Sequence, residues 1–540
     1  MLRVSIVFML RQKSYTLAPD RALDSPTLSK RWKVVALLLL LLFGTFLLLY
    51  KFPSVPVGLH QDEMSEAYES YSLLHTGADR WGYHLPVYFI GWGSGQNVLQ
   101  AYLSIPVVAA LGLTRVSARL IPILCGLLTL PLFFFTLRRW FNENTALLGL
   151  VFLVFSPWHI MFSRWGVENS PLPFFMLLGI YTFGKALQSR SAWPILLCLL
   201  PFAMALYTYG IVIVVLPMLL PLLFLLDPAS ILNKWRAWLG AVALFCVASM
   251  PLFFFTFKNY ISKRNYGFER HLPFSVPLLP ISRLAQIHQE NAQQSRTVHN
   301  LLFLRHGFTD LYPQNQVASV SPVPFIVLLL ALAAAVFLMV QIARTRRLHE
   351  PFLLCALSCL PLFLLMPMDM SRATALYLPV LALAAIGGHA IFTTARLRPY
   401  RMALAAICLA LFLIPLTRFL TTYYGPAYAA QIGPTFHPEL PDALAKTLQV
   451  AGPSVPIYVT DQVLLNYVNV LYLTKTDPRV FQHSGATYNH PDFGRYRFSR
   501  TSLTGAPRPL AYLIKIGEPP VCEAPVLTQR DGQFEIGVCR

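Results

Sequence analysis

Eleven long, predominantly apolar runs dominate this chain, and any fold it adopts must first find a solvent for them: 33–52, 118–137, 145–162, 171–187, 193–209, 210–226, 237–257, 322–342, 351–367, 373–392 and 402–420. About 20 apolar residues are what a helix needs to cross a bilayer. The stretch Trp193–Leu226 is too long for one crossing and holds Tyr207-Thr208-Tyr209-Gly210 at its middle, so it reads as two spans joined by a tight turn. Only 12% of the 540 residues are charged and 56% are hydrophobic. Soluble domains carry about 25% charged residues, so lipid is the natural solvent here.

The net charge of +19 is no argument for nucleic acid, because much of it sits in short loops between the runs. Lys30, Arg31 and Lys33 precede the first run; Arg138/Arg139, Lys185/Arg190, Lys234/Arg236, Arg344/Arg346/Arg347 and Arg396/Arg398/Arg401 fall in alternate loops. The positive-inside rule puts all of these in the cytoplasm. That solution holds if Val98–Leu113, short and interrupted by Pro106, lies flat at the interface; if it spanned, every later basic loop would face outward.

The expected architecture is therefore a mainly α, polytopic protein of the inner membrane with about eleven spans. Residues 1–32 form a cytoplasmic leader and 33–421 the membrane module, with external loops at 53–117 and 258–321. Residues 422–540 form a small extracytoplasmic α/β domain, with helices near 438–450 and 461–473 and strands near 456–460, 510–516 and 532–538. Six cysteines lie in apolar runs. Cys522 and Cys539 either pair across a hairpin turning at Asp531-Gly532 or remain free thiols.

Ionisable residues are nearly absent from the runs, which argues against a transporter or flippase, since these need polar groups at membrane depth. Acids and arginines gather instead beyond one end of the spans. Asp62-Glu63 open a helix-like stretch ending at Gly77; Asp62 either caps that helix or serves as a general base. Arg164 and Glu168, four apart after Ser156-Pro157-Trp158-His159, form either an interfacial ion pair or part of a phosphate site. Asp369 and Arg372 occupy an external turn, where Arg372 is either a snorkelling anchor or a phosphate ligand. Tyr207 and Tyr209 either stack on a sugar ring or belong to the aromatic belt. The long loop carries Lys258, Lys263, Arg264, Arg270, Arg283, Arg296 and Arg305, facing either solvent or an anionic lipid or substrate phosphate. No Walker loop or zinc-type spacing is present.

These motifs together resemble the GT-C glycosyltransferases, above all the bacterial relatives of protein O-mannosyltransferases and of the lipid A aminoarabinose transferase. The resemblance rests on Asp62-Glu63, Leu74-His75-Thr76-Gly77, Gly82–Pro86, Asn97–Arg119, Ser156-Pro157-Trp158-His159 with Ser163-Arg164, Ala205–Tyr209, Phe303–Gly307 and Arg372. It implies an inverting transferase that moves a sugar from a polyprenyl-phosphate donor to a glycan, lipid or protein acceptor outside the membrane. It maps the base onto Asp62, with Glu63 orienting the acceptor or supporting the base. Arg164 and Arg372 become donor-phosphate ligands, Glu168 a second acid, and His159, Tyr207, Tyr209 and Asp369 further substrate contacts. No cofactor is expected. The oligosaccharyltransferase branch uses a divalent metal, but this chain lacks a clear Asp-x-Asp pair. A non-catalytic scaffold presenting the C-terminal domain is the remaining alternative.

Overall fold

The computed structural model describes residues 29–540 apart from 294, 310–311, 318–319, 349, 395–398 and 504–506. Most of the expected leader, and Arg396 and Arg398 of one basic loop, lie outside the described residues.

All eleven apolar runs are helical, as a backbone in lipid requires when no water is at hand to satisfy its amides. Among the described residues, six helices are long and apolar enough to cross a membrane: Lys30–Leu49, Arg115–Trp140, Trp235–Ser262, Phe325–Thr345, Thr374–Thr393 and Met402–Tyr423. The runs at 145–162, 193–209 and 351–367 are each broken, at Phe155–Ser156, Cys198–Leu199 and Cys359. Each break falls one to three residues before a proline (Pro157, Pro201, Pro361), whose ring removes an amide donor and crowds the preceding turn. The helix Leu200–Leu206 stops at Tyr207 and the next begins at Val212, so the chain does break at the Tyr207–Gly210 turn.

Thr374–Thr393 is the central helix, with 78% of its apolar window buried, whereas Lys30–Leu49 and Met402–Tyr423 are peripheral at 17% each. The centre packs tightly because Gly387 has no side chain: a Cβ there would lie 2.3 Å from the Leu330 carbonyl oxygen. Small residues that admit a second backbone are the usual currency of helix association in lipid, where hydrophobicity alone discriminates nothing. At one end of the bundle Lys33 pairs with Glu143 at 3.6 Å, Arg139 donates to Gln188 at 2.8 Å and Asn142 meets His389 at 3.4 Å. The other end carries the helix Gln61–Thr76, the 163–171 turn, the Tyr207–Gly210 turn, the long loop and the 366–372 turn.

The C-terminal region contains a five-stranded sheet of β1 (Ile457–Val459), β2 (Tyr496–Arg497), β3 (Leu510–Lys515), β4 (Pro525–Asp531) and β5 (Phe534–Cys539), in the order β2-β1-β3-β5-β4. β1 runs parallel to β2 and β3; β5 is antiparallel to β3 and β4. The edge strand β4 is exposed along six of its seven positions, so it lacks the alternation that marks a half-buried strand in sequence. The helix expected from Asp461 begins at Asn466. The Asn466 amide donates to the Thr460 and Phe498 carbonyls at 2.9 and 3.0 Å, holding the intervening segment as a turn. This region docks on the Gln61–Thr76 helix: Tyr68 donates to the Thr476 carbonyl at 2.9 Å, and Gln482 Nε2 donates to the Asp79 carbonyl at 2.8 Å and Thr76 Oγ1 at 3.0 Å.

Cys522 and Cys539 are joined, their Cα atoms 6.1 Å apart, tying the start of the β4–β5 hairpin to its end. Peptide mapping of the non-reduced protein by mass spectrometry is expected to recover a Cys522–Cys539 linked pair; two alkylatable thiols would contradict this pairing.

Candidate active site

The helix Gln61–Thr76 is polar yet buried, with Glu63, Ser65, Glu66, Glu69, Ser70 and Ser72 all shielded from solvent. Buried polar side chains are the informative exceptions to ordinary burial. His60 caps the helix, its ring nitrogen accepting from the Asp62 amide at 3.3 Å, and Gly77 ends it in the left-handed conformation at φ 68°. The reciprocal partner in this capping box is Glu63, which accepts from the His60 amide at 2.9 Å. Asp62 is therefore not the cap. Its carboxylate accepts from Trp92 Nε1 at 2.7 Å and lies 3.4 Å from His60 Nδ1. Burial pulls its pKa up, but His60, the Trp92 hydrogen bond and Arg283 outweigh burial and hold it below the usual carboxylate value.

Both Glu63 oxygens are occupied from behind the site. Arg119 donates to them at 2.7 and 2.8 Å, and the Gly166 amide donates at 2.9 Å. A Cβ at Gly166 would lie 2.2 Å from the Ala118 carbonyl oxygen, so glycine is what lets this amide approach. The remaining Arg119 donors bind the carbonyls of Pro53, Pro56 and Gly58 at 2.8–2.9 Å. Glu63 thus has no lone pair left for an acceptor; of the two roles expected from sequence, orienting the acceptor or supporting the base, the geometry leaves only the second and makes it a positioning residue. Arg164 is revised for the same reason. It is fully buried, does not pair with Glu168, and donates to the carbonyls of Leu48 at 2.6 Å and Val55 at 2.9 Å, with its guanidinium over the Tyr424 ring at 5.4 Å. The Leu48 carbonyl lies in the last turn of the first spanning helix, where no helical donor remains, and the Val55 carbonyl lies in the segment that follows it.

Along the acidic helix, Asp62, Glu66 and Glu69 recur at i, i+4 and i+7 and so share a face. Glu69 pairs with buried Arg80 at 3.2 Å. Arg80 also donates to Ser65 at 2.9 Å and lies 5.6 Å over the Tyr467 ring. Neither Glu66 oxygen has a hydrogen-bond partner; burial first, then the charges of Glu168, Glu69 and Asp62, push its pKa well above normal. Glu168 reaches the same place from the 163–171 turn, accepting from the Asn97 amide. Burial raises its pKa to about 8, opposed by the Asn97 hydrogen bond and Arg283. Among these acids Asp62 stands out: its side chain is 28% exposed, whereas those of Glu63 and Glu69 are fully enclosed.

Opposite the acids lie two arginines. Arg372 is neutralised by Glu290 at 2.6 Å and Asp369 at 3.3 Å, and donates to the Pro367 carbonyl at 2.7 Å. Arg283 opens the helix Arg283–Gln293 of the long loop. Its recorded partners are neutral, Gln286 at 3.2 Å and Ser94 at 3.4 Å, and no carboxylate among the described residues pairs with it. It acts electrostatically on Tyr209, Arg372, Tyr88 and Glu168, and Tyr209 in turn lies in the field of Asp369, Arg283, Arg372 and Glu168. Two adjacent cations with only one compensated make a place for an anion.

The structure thus gathers Asp62, Glu168, Tyr209, Asp369 and Arg372 and leaves others outside. Tyr207 gives its hydroxyl to the Ala248 carbonyl at 2.9 Å. His159 is buried between Trp158 and Ser163, 3.5 Å from the Ser163 hydroxyl, with no contact to the acids. Sequence reasoning missed Glu66, Glu69, Arg80, Trp92 and Arg119. The acid spacing on one helical face was a usable signal; the rest depends on contacts distant in sequence. Arg283 was visible only as one basic residue among seven. Among the described residues, no three or more His, Cys, Asp or Glu side chains are grouped to hold a metal ion.

Residues 98–254 match the family described as dolichyl-phosphate-mannose-protein mannosyltransferase. The structure of ArnT from Cupriavidus metallidurans bound to undecaprenyl phosphate superimposes with a TM-score of 0.57 at 16% identity, covering 95% of this chain and 98% of that one. Its apo state gives 0.56 at 16% identity over 94% and 98%. The Archaeoglobus fulgidus oligosaccharyltransferase in its apo form gives 0.50 at 13% identity, covering 85% of this chain and 66% of that one. No curated protein matches the chain in sequence.

Arg164→Ala is expected to lower the unfolding free energy by about 1–3 kcal/mol through orphaned carbonyls, read as a lower unfolding temperature in detergent. Glu168 has a folded-state pKa raised above its unfolded value, so its contribution favours folding fully below the unfolded pKa and is lost as pH rises to about 8. Glu168→Gln should flatten the decline of unfolding temperature across that window; an unchanged slope would show that Glu168 is not the group responsible.

Proposed function

The chain is built on the GT-C glycosyltransferase fold, and from that premise we propose that it is an inverting transferase. It takes a sugar from a polyprenyl-phosphate donor and passes it to an acceptor hydroxyl on the extracytoplasmic face of this multi-pass membrane protein. The observation that carries the reading is the opposition of one partly open, ionised carboxylate, Asp62, to an uncompensated guanidinium, Arg283, at a single end of the bundle. The positive-inside rule makes that end the outer one, with the N-terminus in the cytoplasm and residues 422–540 outside.

In this mechanism Asp62 accepts the proton of the acceptor hydroxyl. The acceptor oxygen attacks the anomeric carbon as the bond to the phosphate oxygen breaks, so one displacement inverts that centre. The departing polyprenyl phosphate needs charge neutralisation more than a proton. Arg283, with Arg372 beside it, supplies that by fixed donors that need no rearrangement as charge develops. Arg283 takes the role that sequence reasoning had assigned to Arg164. Asp369 and Glu290 hold Arg372 in place, and Glu63 and His60 set the helix end that presents Asp62. Tyr209 lies where it can meet the sugar or phosphate. Glu66 and Glu168 lie in the field of Asp62; with raised pKa values they offer hydroxyl-donating carboxyls to sugar oxygens.

Asp62→Asn should leave the protein inserted and folded but reduce sugar transfer by about 100-fold or more, the usual scale for a lost general base. Transfer at the parental rate would remove Asp62 from the mechanism. Arg283→Ala should weaken use of the phosphate-linked donor by about 10-fold or more, the loss of one charge-assisted contact of about 1.5–3 kcal/mol; an unaltered donor KM would refute its assignment.

A further inference from the structure

Trp92, whose indole holds Asp62, sits in the loop Gly91-Trp92-Gly93-Ser94-Gly95. All three glycines have positive φ: 51°, 83° and 100°. Such a backbone has little conformational preference of its own, because glycine loses more freedom on folding than any other residue. It must be held from outside. One tie is the pairing of Phe89 with Gln96, each amide donating to the other's carbonyl at 2.9 Å; another is the Ile281 amide, donating to the Gly93 carbonyl at 2.9 Å. A further tie comes from the far end of the sequence. Tyr488, in the Thr487–His490 turn, donates its hydroxyl to the Trp92 carbonyl at 2.6 Å. Its ring lies where a Cβ of Gly93 would be, at 2.6 Å.

On its other side the same loop touches both halves of the site. Trp92 Nε1 donates to Asp62 at 2.7 Å, Arg283 donates to Ser94 Oγ at 3.4 Å, and Ser65 donates to Gln96 at 2.9 Å. We infer that Tyr488 is a positioning residue for sugar transfer: the C-terminal domain, through this one phenol, holds the glycine-rich loop in the register that sets Asp62 against Arg283. The inference rests on the transferase reading above. It gives residues 422–540 a part in the reaction without any contact between Tyr488 and the reacting atoms.

The test is Tyr488→Phe in the full-length protein in detergent, which keeps the ring and removes only the hydroxyl. Hydrogen–deuterium exchange should become about 3- to 10-fold faster in peptides covering 88–98, the factor expected for one lost hydrogen bond, with exchange at 64–76 unchanged. Transfer should fall by a similar factor in kcat, with donor KM little altered. The groups facing Asp62 are His60, Arg283, Glu66 and Glu168, and none of them is altered by the substitution. A loosened Trp92 hydrogen bond therefore moves the acidic limb of the pH–rate profile to higher pH. With Trp92→Phe already in place, adding Tyr488→Phe should leave that limb where it is, since the route is cut. Exchange at the parental rate overturns the inference, and so does an acidic limb unmoved by Tyr488→Phe. A parent protein that transfers no sugar would instead defeat the transferase reading, and the exchange measurement alone would then decide whether Tyr488 holds the loop.

Discussion

The buried Glu63–Arg119 pair is the contact on which the acid-bearing end of the bundle depends. Arg119 sits one turn into a spanning helix with no exposure, and a lone guanidinium there would be prohibitively costly. It is tolerated because Glu63 neutralises it and three carbonyls of the 53–58 segment satisfy its remaining donors. Removing one member of such a pair typically costs about 3–5 kcal/mol, since the other is left charged and alone. The same pair fixes the angle at which the chain leaves the first span and enters the acidic helix. Asp62, the next residue back, inherits its direction from that arrangement.

A second arginine does comparable work behind the first. Arg164 collects the Leu48 carbonyl at the C-terminal end of the first spanning helix and the Val55 carbonyl of the segment that follows, which would otherwise face a nearly anhydrous surrounding. In a soluble protein water would serve. Here the lip of the bilayer leaves side chains as the available donors, so an arginine that resembles a ligand-binding group in sequence is consumed by architecture. Arg283 is not used in this way: among the described residues its guanidinium meets only neutral partners, Gln286 and Ser94, which leaves its charge available.

The acids divide by the same criterion. Glu63 and Glu69 are matched by Arg119 and Arg80, whereas Glu66 and Glu168 are crowded without a matching cation of their own and shift towards their neutral forms. Asp62 keeps its charge because His60, Trp92 and Arg283 surround it. Environments that drive neighbouring carboxyls apart in pKa are how one pocket holds a base and hydrogen-bond donors at the same pH. The C-terminal domain belongs to this arrangement through Tyr488, Gln482 and Tyr467, which reach the glycine-rich loop, the end of the acidic helix and Arg80.

What the sequence determined by itself is the helical membrane module. Apolar runs of spanning length can be satisfied only as helices in lipid, a local property that survives without knowledge of any contact. Asp62, Asp369 and Arg372 stood out as candidates because their charged side chains fall just beyond the ends of apolar runs. The division of labour among the charged residues was decided by tertiary structure alone. Whether Glu63, Arg164 or Arg283 is free depends on partners 56, 116 and 189 positions away, and the grip of Tyr488 on Trp92 crosses 396. A side chain's chemistry is written in its own residue type, but its availability is a property of its neighbours, and no local pattern encodes which neighbours the packed bundle will bring.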